Sequence, residues 1–516
     1  MLSKPYWLIL IVALTAKLLF FFTHQNFSQD VVRDYQFIQQ HITDTNWYIP
    51  LGPAAASYSN FATPPLYYYL QLVAQLVGRG YFYSMAITIM IIESFTPLLL
   101  YFWITKLSTA LNQKSKGTVV AFGVAILYSV SPLVLIASTS SWNPNLVPFF
   151  SLSFILCSQL FLFEKRNIFF VLASLSFVFL INLHFQFFVL TPLLATIVFV
   201  ALRRLQQTWK YLLLATALSG ILLSPYLIYE MNNQFGNVHN AYTFITGGSD
   251  TIAVERIRKP MYVAFYFPGF YMRALTGQLY LEEWHDLYEP DWPVKQNTLA
   301  AVVFWAVVGT YAWVTYRTYL SNRSKARWLL FPIALFGTMA IVLRAYKGDK
   351  PDYFLYAFLP IFFIFLGGAL LGCKNTGIRY GLLAIFLANA VYGVVSQPTY
   401  NEYADWQEFV KTASAFPKDE LQITPVNHNL VTGLRYFFSD QQLGKEVNPG
   451  KKYNILVCEA WQNCSTFQAN VDSDKNYYKY DLVNPENYST VLPSYSATAS
   501  SELITHSLHA KIIVQE

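Results

Sequence analysis

Residues 5–23, PYWLILIVALTAKLLFFFT, form an almost unbroken apolar run, and residues 29–40, QDVVRDYQFIQQ, follow with Asp30, Arg33 and Asp34 inside five positions. A helix needs about 20 apolar residues to cross the hydrocarbon core of a bilayer, and the first stretch meets that length. Lys17 within it and the lack of a small-residue cleavage pattern point to a retained anchor rather than a cleaved signal peptide. The second stretch has a different pattern. Val31, Val32, Tyr35, Ile38 and Ile42 recur at helical spacing, so residues 31–42 are expected to form an amphipathic helix on the outer membrane surface. Asp30 is expected at its N-cap, with Arg33 and Asp34 one turn later on the polar side.

The rest of the chain continues in the same manner. Of 516 residues, 54% are hydrophobic and 12% charged, and the mean hydropathy is +0.34. That balance excludes a large soluble enzyme. The net charge of +6 does not indicate nucleic acid, because Lys and Arg sit in short clusters between apolar runs, as orientation in a bilayer requires. About eleven membrane spans are expected, near 5–23, 82–105, 118–138, 144–163, 168–187, 188–202, 211–229, 298–318, 328–346, 354–372 and 380–397. Between 167 and 202, Thr191-Pro192 marks either a break between two helices or a kink in one. Lys4, Lys106, Lys114, Lys116, Lys165, Arg166, Arg203, Arg204, Arg323, Lys325, Arg327, Lys374 and Arg379 fall in alternate short loops. The positive-inside rule then puts the N terminus in the cytoplasm and residues 24–81, 231–297, 347–353 and 399–516 outside.

The expected fold class is a mainly α polytopic membrane protein, residues 1–398, with a small extracytoplasmic α/β domain over 399–516. In that tail EYADWQEFVKTAS reads as a helix, and KYNILVCE and AKIIVQE read as strands. Cys458 and Cys464 lie in it, where an oxidising compartment permits a disulfide; zinc is the rival reading, with no paired His nearby. No internal repeat, glycine-rich nucleotide loop or P-loop is present, which argues against direct use of a nucleotide sugar or ATP.

Several fragments carry a family resemblance in order along the chain. They are the acidic-Arg stretch at 29–40, the PPLYYYL element from Pro64, SPLVLIASTSSWNPNLVPFFSL (131–152), INLHFQFFVLTP (181–192), SPYLIYEMNNQF (224–235) and DYFLYAFLP (352–360). Together they resemble the GT-C class of polyprenyl-phosphate-sugar-dependent glycosyltransferases, in the protein O-mannosyltransferase-like and aminoarabinose-transferase-like branch, over most of residues 1–398. The resemblance implies a GT-C-like bundle, a polyprenyl-phosphate-linked sugar donor, a lipid, glycan or protein acceptor, and a bacterial plasma membrane. It also implies a catalytic Asp in the first external loop, commonly followed by Glu and, after one more residue, by Arg. Asp30 and Arg33 match that pattern, but Val31 stands where the Glu is expected, leaving Asp34 as the alternative second carboxylate. Thr63 stands where related enzymes often have a Lys before Pro-Pro.

These residue types suit the chemistry. A carboxylate must take the proton of an attacking hydroxyl while cations stabilise a departing phosphate. Asp30 is the expected base. Arg33 is the expected phosphate partner through its planar fork, with Arg344, Lys347 and Lys350 as further cations. Tyr67, Trp142, Asn143, His184, Glu230 and Tyr353 are candidates for the cavity wall, each with a packing role as the alternative. Glu93 lies deep in a membrane segment, where charge is costly and calls for a function or a partner such as Lys17. No cofactor is implied. A divalent metal is not indicated, because Glu282, Glu283, His285 and Asp286 diverge around a helix. The rival readings are a polytopic transporter, which would gather ionisable groups near the midplane, and a polymerase or ligase acting on lipid-linked polysaccharide.

Overall fold

The computed structural model describes residues 4–54, 61–184, 190–247, 267–276, 292–345, 352–397, 399–425, 428–439, 442–443, 451–459, 467–470, 479–482, 497–504 and 508–515. The chain separates into two compact units. One comprises Met1–Phe20 with His41–Gln397, and the other Phe21–Gln40 with Pro398–Glu516. The acidic helix therefore falls largely in the same unit as the C-terminal tail.

The first unit is helical. Its elements begin with α1 (Lys4–Thr23), which runs on into the second unit, where β1 (His24–Gln25) and most of α2 (Gln29–Thr43) lie. The bundle continues with α3 (Leu66–Val77), α4 (Ser84–Glu93), α5 (Thr96–Ala110), α6 (Lys114–Ser129) and α7 (Pro132–Ser138). A 3-10 turn at Asn143–Leu146 leads into α8 (Val147–Glu164), then α9 (Ile168–Leu183), α10 (Thr191–Arg203), α11 (Leu205–Asn232) and α12 (Gly236–Gly247). The unit ends with α13 (Phe267–Thr276), α14 (Trp292–Ser321), α15 (Arg323–Ala345), α16 (Leu359–Gly372) and α17 (Thr376–Val395).

Helix occupies all eleven expected places. Seven helical segments are long and apolar enough to cross a membrane by themselves, or eight if α6 and α7, bent by 55° at their junction, count as one span. The chain is thus a multi-pass membrane protein, with fewer self-sufficient spans among the described residues than the eleven expected. Part of the shortfall has an identifiable cause: Pro192 stands in the first turn of α10, so the apolar run from 167 to 202 is two helices too short to span alone.

α16 is apolar on every face and almost wholly buried, packed by α5, α6, α14 and α15. Glycine makes the close approach possible. A Cβ on Gly368 would lie 2.3 Å from the Tyr311 ring, and one on Gly372 2.1 Å from a Val314 methyl. Gly368→Val is therefore expected to cost about 1–3 kcal/mol through overpacking, read as a fall in melting temperature of the detergent-solubilised protein. An unchanged melting temperature would show that α14 and α16 do not pack this tightly.

The basic loops converge at one end of this unit. Lys106 Nζ meets Glu164 Oε1 at 2.7 Å, Lys325 Nζ meets Asn112 Oδ1 at 2.7 Å, Arg327 donates to the Phe163 carbonyl at 3.3 Å, and Arg379 donates to Gln113 Oε1 at 3.1 Å. That convergence is what alternate short loops produce in a bundle.

In the second unit, β2 (Tyr400–Asn401), α18 (Glu402–Ala413), β3 (Leu421–Pro425), α19 (His428–Phe437), β4 (Tyr453–Glu459), β5 (Phe467–Asn470), β6 (Lys479–Leu482), β7 (Ala497–Ile504) and β8 (Leu508–Gln515) follow in turn. A four-stranded sheet has the order β3-β4-β8-β7, with β3 and β4 parallel and the other pairs antiparallel. α19 makes the crossover between the parallel strands and packs on both. β1 pairs with β2 in parallel, His24 opposite Tyr400 and Gln25 opposite Asn401.

Candidate active site

The acidic helix starts earlier than its periodicity suggests. α2 begins at Gln29, and the Val32 amide bonds back to the Ser28 carbonyl at 3.1 Å, so Asp30 lies within the first turn and not at the N-cap. A carboxylate there still faces the positive end of the helix dipole. Asp30 instead pairs with Arg33, Oδ1 to Nη1 at 2.7 Å.

Asp34 also departs from its expected position. It is fully buried, and its Oδ1 accepts from Arg33 Nε at 2.9 Å and Nη2 at 2.8 Å. The reason lies in the helical period: Asp34 is three residues after Val31 and four before Ile38, both buried, so it belongs to the inward stripe. One guanidinium thus bridges two carboxylates of unlike exposure, Asp30 at 43% and Asp34 at 0% of the side chain. When all three are ionised, one net negative charge remains. Asp34 fixes the fork of Arg33, while Asp30 presents a carboxylate to solvent.

Removing the guanidinium would strand a buried carboxylate. Arg33→Ala is expected to cost about 1–3 kcal/mol, below the range for fully buried pairs because Arg33 is itself 40% exposed. Arg33→Lys should recover only part of this, because a point charge lacks the fork. Denaturant unfolding of the full chain checks both, and equal stability of Arg33→Ala and wild type would rule out Asp34 as a charge held by Arg33.

The second unit also sets what flanks this helix. The Phe27 amide donates to Glu402 Oε2 at 2.5 Å. Tyr35 and Tyr436 have ring centroids 5.8 Å apart and share a hydroxyl hydrogen bond. Burial raises both phenols above the usual tyrosine range, so they stay protonated at neutral pH.

In the first unit, three of the sequence candidates come together. Tyr67 Oη donates to the Ser141 carbonyl at 2.7 Å, and Asn143 Nδ2 donates to the Leu183 carbonyl, next to His184. The Leu66 amide donates to Asn182 Oδ1 at 2.9 Å. The start of α3, the turn after α7 and the end of α9 are thus tied by side chains capping backbone groups. Tyr67, Asn143 and His184 are buried and Trp142 is half-buried.

Glu230, buried on α11, accepts from the Val238 amide at 3.4 Å. Beside it opens a cavity of about 470 Å³ lined in part by Phe61, Tyr229, Asn233 and Asn237. Asn237 fixes one wall, accepting from the Ala62 amide at 2.7 Å and donating to its carbonyl at 3.1 Å.

Lys347, Lys350 and Cys464 lie outside the described residues, as do Glu282, Glu283, His285 and Asp286; of Arg344, Tyr353 and Cys458 only the backbone is described. Among the described residues, no group of three His, Cys, Asp or Glu side chains converges to hold a metal ion. Sequence reading missed Asn182, Asn237, Glu402 and Tyr436, for which only their partners' folded positions give a signal.

Comparison with known proteins rests on structure. No protein-family profile matches the chain, and no curated protein matches it by sequence. ArnT from Cupriavidus metallidurans, in the structure determined with undecaprenyl phosphate bound, aligns over 99% of this chain and 98% of its own, with a TM-score of 0.56 at 11% identity. Its apo structure aligns over 98% and 97%, with a TM-score of 0.53 at 12% identity. The likeness runs almost end to end in both chains. It gives the fold alone, which is that of ArnT.

Proposed function

We propose that the chain is an integral membrane glycosyltransferase, moving a hexose or pentose from a polyprenyl-phosphate donor to an acceptor hydroxyl on the outer side of the plasma membrane. The observation that carries this reading is the Asp30–Arg33–Asp34 ion triad, which opens the helix directly after an apolar anchor in a chain with the ArnT fold. ArnT's bound undecaprenyl phosphate supports the choice of donor class.

Asp30 takes the proton of the acceptor hydroxyl, the acceptor oxygen bonds to the anomeric carbon, and the anomeric carbon–oxygen bond to phosphate breaks. Polyprenyl phosphate leaves as the anion. Arg33 binds that phosphate, held in register by Asp34. A donor phosphate competing with Asp30 for Nη1 would loosen the Asp30–Arg33 pair, so donor binding frees the base for the acceptor. Arg344, Lys347 and Lys350 are further phosphate partners in this reading. Tyr67, Trp142, Asn143, His184, Glu230 and Tyr353 are candidate cavity residues in this reading. The N terminus lies in the cytoplasm, and 399–516 form the outer domain.

The test uses the purified full chain in liposomes with a panel of undecaprenyl-phosphate-linked mannose, glucose, galactose, arabinose and aminoarabinose, each offered to a cell-envelope extract. Mass spectrometry of the products is expected to show one sugar added to one acceptor class. Absence of transfer from every donor, with the protein folded and inserted, would remove the reading.

A further inference from the structure

We infer that the C-terminal segment clamps the acidic helix, with Glu402 and Tyr436 as positioning residues for Asp30 and Arg33. This rests on the proposed role of the triad. The segment bearing the triad is fixed at both ends by residues about four hundred positions away. Ahead of it, β1 pairs with β2, and the Phe27 amide bonds to Glu402 at 2.5 Å. The Phe27 ring is enclosed by Tyr403, Trp406, Tyr436 and Phe437, with centroids 5.4–5.5 Å away. Behind it, Tyr35 bonds to Tyr436, which also bonds to Tyr403.

The receiving surface is itself tightly packed. Trp406 stacks on Phe437 at 6.0 Å and 19°, and a Cβ on Gly433 would fall 2.7 Å from the Trp406 ring. Asp30 lies three residues after Phe27 and five before Tyr35, so the triad sits on a span anchored at both ends to one rigid nest. Freed of those anchors, a short helix is marginal on its own, and its side chains lose their common geometry.

Two variants and one rescue test this in the full-length protein in detergent. Glu402→Ala removes the acceptor for the Phe27 amide, Glu402→Gln keeps an acceptor oxygen without the charge, and Tyr436→Phe removes only the hydroxyl shared with Tyr35. Hydrogen exchange over residues 28–36 is expected to rise about tenfold in Glu402→Ala, less in Tyr436→Phe, and to return close to wild type in Glu402→Gln. The Kd for undecaprenyl phosphate, measured by native mass spectrometry, should weaken about fivefold or more in Glu402→Ala and recover in Glu402→Gln.

Unchanged exchange in both Glu402→Ala and Tyr436→Phe overturns the clamp. Raised exchange with unchanged Kd shows that the contacts only stabilise the fold, and overturns the positioning role. If wild type itself fails to bind undecaprenyl phosphate, the proposed donor falls, and the exchange result alone decides whether the segment is held.

Discussion

Asp30→Asn is expected to lower the turnover number by about a hundredfold or more, the range in which loss of a positioned general base is felt, while leaving the protein folded and inserted. The substitution is sparing for a structural reason. Asn keeps a carbonyl oxygen that Arg33 Nη1 can reach, and Arg33 retains both bonds to Asp34, so the guanidinium stays oriented. The proton acceptor is what disappears. Initial rates at saturating donor, with melting temperature as the control for folding, give the answer. Wild-type turnover in a well-folded Asp30→Asn protein would take Asp30 out of its assigned role.

Glu93→Ala should give the largest loss of stability, about 3–5 kcal/mol, the cost of breaking a buried charge network by removing one partner. Glu93 ends α4 at the break before α5, where a membrane helix leaves backbone groups to be satisfied by neighbours. Its Oε1 accepts from the Phe149 amide in the first turn of α8 at 2.9 Å, and its Oε2 from Thr96 Oγ1 at 2.9 Å. Lys17 is fully buried and interacts with it electrostatically without a direct ion pair, and Lys17 Nζ has no hydrogen-bond partner among the described residues. Glu93→Ala leaves that ammonium without its counter-charge and the Phe149 amide without its acceptor. The double change Lys17→Met with Glu93→Gln removes the charge and keeps an acceptor, so it should recover most of the loss. Thermal unfolding in detergent compares the three proteins. Equal melting temperatures for Glu93→Ala and wild type would mean that the break between α4 and α5 is held by packing alone.

The two residues differ in how far sequence could take them. The apolar surroundings of Glu93 mark its charge as costly and make Lys17 a possible partner, but nothing along the chain points to α8 as the element it caps. Type and spacing pick out Asp30 and Arg33. Its charge puts Asp34 on the polar side, whereas the interval from Val31 to Ile38 places it on the buried stripe. Thr191-Pro192 allowed a break or a kink, and the break holds because proline is tolerated in the first turn of α10. Aromatic and polar identity makes Tyr67 and Asn143 cavity candidates. Their observed bonds go to backbone carbonyls of Ser141 and Leu183, which spacing along the chain does not encode.

What the sequence determined by itself was local or compositional: a multi-pass membrane chain, helix at each of the expected places, and an acid and a guanidinium one helical turn apart. Those follow from hydropathy and from the 3.6-residue period, which act over neighbouring residues. Only the tertiary structure decided that Phe27 and Tyr35, on either side of the triad, meet Glu402 and Tyr436. Such pairings depend on side chains that meet once the chain has closed loops of hundreds of residues, and no periodicity in the sequence records where those loops close.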